Sequence, residues 1–383
     1  MAAGRRSAVV LLLLFACRSG SESMAPATLR RDSAGVILID NTGPDRPLDW
    51  QLDPIATIGG PGSGIDLAQL TEYTVDADTL GHIFLLDSWF GQRLQLIDTA
   101  GHLIRTLTRQ GSGPGEVGQG VAISATGDGT VAIMDFSKTG LVRVRWNGEV
   151  LPILRLAGYD LFGGARASAD TVVVHTLETS ERTQPEHLRY RTATDTATLA
   201  AHTPERLGWL PFCRSGMEGL TPMLAPELLW TARGSVAAVS RTAEYRIDLF
   251  HAGRLTHTIR RDVAGRPGTV EAVRRFFPEG KIIGGKNCVV PAEELAAKRG
   301  VARALQPIRR LAIDWTGRLW VERSTFPDET PRTDLFDSTG SYLGTLTGLG
   351  APLGFPSRGL LVFALPDSAT DEPKLRIFRR THP

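Results

Sequence analysis

The chain has 383 residues and only three cysteines, Cys17, Cys213 and Cys288. None has a Cys-x-x-Cys or Cys-x-x-His partner, which excludes a structural zinc site. No segment is long and apolar enough for a membrane helix: the uncharged run from Ala8 to Ala16 falls well short of roughly 20 residues. No block of like charge stands out. The 43 basic and 41 acidic side chains leave a formal charge of +2, without the basic stripe a nucleic-acid surface needs, so no nucleic-acid partner is expected. Gly-x-Ser-x-Gly, the elbow of a serine hydrolase, is absent. Among the histidines, His82, His102, His175 and His251 fall at strand ends or turns, and none has metal-ligand spacing.

What is present begins with an address. Arg5 and Arg6 precede the short apolar run, the pattern of a cleaved export signal. The run closes on Leu14-Phe15-Ala16-Cys17, which resembles the bacterial lipobox. The resemblance implies lipid attachment at Cys17, and two acyl chains anchor far more stably than one. The alternative is an ordinary secretory leader. Residues 1–17 are thus expected to be a lipoprotein-type signal, and 18–34, small and polar, a flexible tether. Loss of Arg5 and Arg6 with the leader leaves 41 basic against 41 acidic residues. In many lipoproteins an aspartate after the cysteine retains the protein in the inner membrane. Arg18 stands there instead, so an outer-membrane lipoprotein facing the periplasm is the expected location within the cell envelope.

In an oxidising compartment paired cysteines persist. Cys213 and Cys288 are the candidate pair, closing a loop of 75 residues; the alternative is two buried thiols that never meet.

The organisation of 35–383 is repetitive. Gly81-His-Ile-Phe-Leu-Leu-Asp87 returns as Gly129-Thr-Val-Ala-Ile-Met-Asp135, 48 residues on. A period of that size marks a solenoid or a propeller. Four further segments share the pattern: 170–175, 234–240, 317–322 and 359–364. Each leads into a third strand with alternating polarity, as in Leu141-Val-Arg-Val-Arg-Trp146, which fits a strand with one drier face. Six such units predict an all-β fold, a six-bladed β-propeller. The last unit is one strand short, and either 35–40 or 53–58 is placed to close the ring and remove exposed strand edges.

Asp87-Ser-Trp-Phe-Gly-Gln-Arg-Leu-Gln-Leu-Ile-Asp98, with Gly101 and Gly111-Ser-Gly-Pro-Gly-Glu116 after it, resembles the NHL repeat, most of all in bacterial six-bladed β-propeller lipoproteins. Residues 59–64 are a weaker echo. The resemblance implies a propeller with a binding or scaffold role. The glycines of 111–116 suit an inter-blade turn; a phosphate loop would open a helix and carry a Lys. Asp87 and Asp135 are expected to cap turns.

One region breaks the period. Within 265–306, residues 270–277 and 291–305 read as helices, with Pro291 suited to the first helical position. This helical insertion between blades four and five carries Cys288, and Cys213 sits in the other long loop.

The first strand of each blade lines the central channel. Aligning those strands brings Glu72, Glu227 and Arg310 to one level, with Gln119 and Arg309 one residue earlier. Glu72, Gln119, Glu227, Arg309 and Arg310 are therefore the candidate ligand-binding residues; the competing expectation pairs them with one another in a solvated tunnel. Calcium wants six to eight oxygens and this set supplies few, so no cofactor is expected, with Ca²⁺ as the ion the carboxylates leave open. The sequence points to a non-enzymatic binding or scaffold module for an unidentified protein or polymer partner. The alternative is a metal-dependent lactonase- or lyase-like propeller enzyme.

Overall fold

The computed structural model describes residues 27–381 except 60–62, 66, 68–69, 89–90, 157–160, 169, 178–184, 204–208, 214–215, 220, 284–287 and 368–372. The expected leader and Cys17 lie outside the described residues.

Strand alternation builds the ring. In Thr130–Asp135 every residue is buried. Successive side chains of a strand leave opposite faces, so Val131 and Ile133 pack towards the preceding blade, against Leu86 and Leu96. Ala132 and Met134 pack towards the following one, against Val172 and Val174. A sheet that is apolar on both faces is satisfied only between two neighbours, and six such sheets stand around one axis. The fold is an all-β, six-bladed β-propeller. The first blade comprises Val75–Ala77, Ile83–Asp87, Arg93–Ile97 and Leu103–Thr106, and the second runs from Gly120–Ala125 to Val150–Arg155. The third runs from Leu161–Ala167 to Thr196–His202, the fourth from Leu229–Arg233 to Arg254–Arg261, and the fifth from Ile308–Ile313 to Tyr342–Thr347.

One turn recurs four times. Asp78, Asp98, Asp314 and Asp337 each accept backbone N–H bonds from residues two and four positions on. The glycine three positions on has φ between +80° and +95° in every case, a conformation other residues rarely adopt.

The sixth blade contains Leu360–Pro366 and Pro373–Thr381, and its outer strand is Gln51–Ile58 from the other end of the described chain. Of the two segments expected to close the ring, 53–58 does so. The other, 35–40, lies in Val36–Thr42, which pairs in parallel with the outer strand of the fourth blade. Its hairpin partner is Ala27–Ser33, so a strand occupies the end of the segment expected to be a tether. Between the two pairings the chain crosses the fifth blade: Leu48 N donates to Thr345 O and Thr345 N to Arg46 O. Asp45 fixes this strap, with oxygens 2.8 Å from Arg261, 2.6 Å from Arg323 and 3.3 Å from Arg332. Partial burial works to raise its carboxyl, but the Arg323 and Arg261 guanidiniums outweigh it and hold the group below the usual range.

The insertion is helical as expected. α1 is Val270–Phe276, capped by Thr269, whose side chain accepts from Ala272 N. α2 is Ala292–Arg299, so Pro291 precedes the helix instead of occupying its first position. α2 ends earlier than the sequence suggests, because Gly300 at φ +69° terminates it. Cys213 and Cys288 are joined by a disulfide, with Cα atoms 5.9 Å apart.

Candidate functional site

The ends of the inner strands define two mouths of the central channel, and the axis between them is filled. Asp76 sits on the first inner strand with its carboxylate buried. One oxygen accepts from Arg233 Nη2 at 3.1 Å, and the other accepts from Ala125 N at 2.9 Å and lies 3.5 Å from Arg166. Arg166 also donates to Ile123 O, and Arg233 to Ile313 O. The Arg233 guanidinium lies 4.0 Å from the Trp315 ring centroid, and Trp315 Nε1 donates to Phe355 O. One ion cluster thus touches all six blades. The open, solvated tunnel considered from sequence does not form at this level. A buried carboxylate is tolerable here because two guanidiniums and the backbone N–H groups of Ala125 and Ala77 satisfy it.

On the side from which the inner strands start, a cavity of about 830 Å³ lies above this plug. Its rim follows from the strand pattern. In the third blade, Val173, Leu188 and Ala200 face the fourth blade. Two residues towards the mouth on the same face, that row continues as His175, Glu186 and His202, which line the cavity. His175 Nε2 lies 3.5 Å from a Glu186 oxygen. Burial, opposed by Glu186, holds His202 below the usual imidazole range.

Three of the five candidate residues meet here. Glu72, Glu227 and Arg309 all line the cavity. Glu227 is open to the cavity yet walled by protein; desolvation, then the Glu186 charge, raises its carboxyl above the usual range. Its backbone is clamped by Gln306, which accepts from Glu227 N at 2.9 Å and donates to Glu227 O at 3.1 Å. Tyr73 is pushed up to about 12 by burial and by Glu72 and Glu227, with Arg166 opposing. Gln119 and Arg310 go elsewhere. Gln119 is exposed, and its N–H donates to Asp135. Arg310 turns to Glu322 at 2.8 Å and to Ala351 O. Adjacent strand residues point to opposite faces, so Arg309 and Arg310 cannot both face the mouth; a register shift between Ile308 and Arg310 breaks the alignment that set Arg310 level with Glu227. Glu186 and His202 were missed from sequence. Their signal is a polar residue at an inward position of an alternating strand.

The insertion roofs the cavity through Phe277, Lys281 and Arg299, and it is fixed on two sides. Met223 exchanges backbone hydrogen bonds with Gly300 and Ala302, and Arg299 donates to Thr221 O. On the other side α1 and the segment before it grip the loop 324–331 of the fifth blade: Arg275 of α1 lies 2.7 Å from Asp328 and Arg266, ahead of the helix, 2.6 Å from Glu329. Both guanidiniums also lie over the Phe326 ring. The disulfide adds a third tie.

Asp135 caps its turn as expected, accepting from Gly118 N, Gln119 N and Ser137 N. Asp87 lies 3.1 Å from Arg93, and residues 89–90 of the turn it was expected to cap lie outside the described residues. In 111–116, Glu116 accepts from Gly113 N, and Gly115 takes φ +73°, as an inter-blade turn requires. Among the described residues, no group of three or more His, Cys, Asp or Glu is placed to hold a metal ion.

The molecule is thus a six-bladed propeller with a plugged axis and one roofed, ionisable mouth. No protein-family model matches the chain, and no curated protein does. Among solved structures, a member of the DUF4221 family from Bacteroides vulgatus is similar at a TM-score of 0.51 and 6% identity, over 88% of this chain and 98% of that one. A Bacteroides fragilis protein described as exported has a TM-score of 0.49 and 11% identity, over 90% and 100%. A gluconolactonase from Xanthomonas campestris has 0.41 and 14%, over 88% and 98%. At such identities the likeness is one of fold.

Proposed function

We propose that the chain is an exported binding module, anchored through lipid on Cys17 in the outer membrane and facing the periplasm, whose roofed mouth engages a protein or polymer partner. The observation that carries this reading is the mouth cavity of about 830 Å³. It is polar and apolar by turns, closed below by the Asp76 cluster and covered by an insertion tied down on two sides. A preformed concave site of that size with a few convergent polar groups suits ligand capture. The leader residues, not the fold, supply the address.

The competing reading, a metal-dependent lactonase or lyase on the same fold, needs carboxylates converging on one ion. Glu72 and Glu227 share the cavity, yet no third ligand joins them among the described residues. Elemental analysis of protein purified without its leader, with a thermal melt in the presence and absence of chelator, separates the two. The binding reading expects no stoichiometric metal and an unchanged melt. Stoichiometric calcium with a melt lowered by chelator would overturn it in favour of the enzyme.

A further inference from the structure

We propose that the part of the partner entering this mouth carries a free ammonium and a carboxylate close together, as an amino acid or the end of a short peptide does. The inference rests on the binding reading above and names the ligand chemistry of that same cavity.

Glu72 and Glu227 are the first half of the argument. Neither carboxylate makes a hydrogen bond or ion pair with any described residue, although both residues are held by their backbones: Glu72 O accepts from Arg166, and Gln306 clamps Glu227 from both sides. The side chains are therefore positioned but unsatisfied. Both charges act on the Tyr73 hydroxyl, so both serve one region of the cavity. Lys281 lines the same cavity, but its charge only partly offsets the raised carboxyl of Glu227; a further cation between the two carboxylates favours their ionised forms, and an ammonium brings donors for both.

Arg309 is the second half. It is exposed, and its ion pair among the described residues is a 3.8 Å contact with Glu322. That carboxylate is already held at 2.8 Å by Arg310 and accepts from Ala351 N. Arg309 is thus a second claimant on a satisfied partner, and its guanidinium can turn to a ligand carboxylate, which it grips in bidentate fashion. Glu227 and Arg309 also line the adjoining cavity of about 550 Å³ under α1. Both residues thus border both chambers, and the ligand's two charges belong between them. Leu224, Leu229 and Phe277 supply apolar wall for what lies between and beyond the charges.

The test is calorimetric titration of the leaderless chain with alanine, the dipeptide Ala-Ala, propylamine, propionate and glucose. It is run on wild type, Glu227→Gln and Arg309→Gln. Both substitutions fall on exposed side chains, and a cooperative melt confirms that each variant folds. We expect alanine or Ala-Ala to bind, the stronger of the two telling amino acid from peptide. Propylamine and propionate should each bind about tenfold more weakly or worse, and each variant should lose about tenfold in affinity for the zwitterion. Propylamine binding as tightly as the dipeptide, or zwitterion affinity unchanged in both variants, would overturn the inference. Glucose binding that either variant weakens would end the zwitterion assignment while leaving the roofed mouth as a binding site. No heat from alanine or Ala-Ala would overturn the inference as well, while the metal analysis and melt above decide the binding reading separately.

Discussion

At Glu227 the proposed binding role has a consequence for the stability of the fold. Its carboxyl is raised first by desolvation and then by Glu186, with Lys281 opposing. The folded state therefore holds the proton more tightly than the unfolded chain does. A raised carboxyl contributes stability below its unfolded value near 4.5, and that contribution fades as pH climbs through the folded value. At neutral pH the ionised Glu227 is a small liability to the fold, which is the expected condition of a group kept for a ligand. Glu227→Gln should therefore melt at a slightly higher temperature than wild type at pH 7 to 8, with the gap closing by pH 4. The effect is modest because water reaches the side chain. A melting difference that is independent of pH would show that the raised carboxyl has no weight in stability. The same variant is expected to bind ligand less well, so stability and capture move in opposite directions at one residue.

At the scale of elements, the roof decides whether the cavity is a site or a dent. α1 and α2 share a small core in which Val273, Cys288, Val290 and Leu295 are buried with Met223. Its links to the propeller are the backbone bonds of Met223, the Arg–acid contacts of α1 and the disulfide. Reducing that disulfide frees a loop of 75 residues, which the chain-entropy model rates at roughly 4 kcal/mol as a ceiling. Cys288→Ser is expected to lower the melting temperature and to raise amide exchange in α2 and at Val289–Val290, with the first blade unaffected. Unchanged exchange in α2 would mean the non-covalent ties alone hold the roof. Much of this element was legible. Residues 270–277 and 291–305 read as helices in the sequence, and Cys213 and Cys288 are the candidate pair that the disulfide joins. The end of α2 was misjudged because apolar residues continue past Gly300, and the backbone there overrides composition. The mouth was half legible. Glu72, Glu227 and Arg309 follow from aligning inner strands, whereas Glu186 and His202 enter from outer strands whose twist carries them to the same rim. Only the assembled blade pairing, not a spacing in sequence, brings those strands to the rim.

For the molecule as a whole, the question is what keeps a ring of six sheets from opening. Each inter-blade core is apolar, but closure between the sixth blade and the chain's first strands depends on pairing distant segments. Leu375↔Ile58 and Thr381↔Gln51 mark the ends of that seam, and Ile58, Leu375 and Ile377 are buried against the first blade. The strap from 27 to 58 has a second role along the outer edges of the fourth and fifth blades. Ile39 lies in the core between those blades, and Asp45 joins three arginines whose buried members also hold Asp334. Hairpin and closing strand are separable pieces of this strap. Removing residues up to 42 exposes the edge of the fourth blade and forfeits the burial of Ile39, worth about 2 kcal/mol, yet leaves the seam intact. Removing residues up to 58 takes the outer strand of the sixth blade and bares the edge of Pro373–Thr381, a template for pairing between chains. Size-exclusion chromatography with light scattering, alongside a denaturant melt, should therefore give a folded, less stable monomer for the first truncation. The second should give aggregates or a melt without cooperativity. If the second truncation stays monomeric and cooperative, the ring is held by its inter-blade cores and the terminal seam is dispensable.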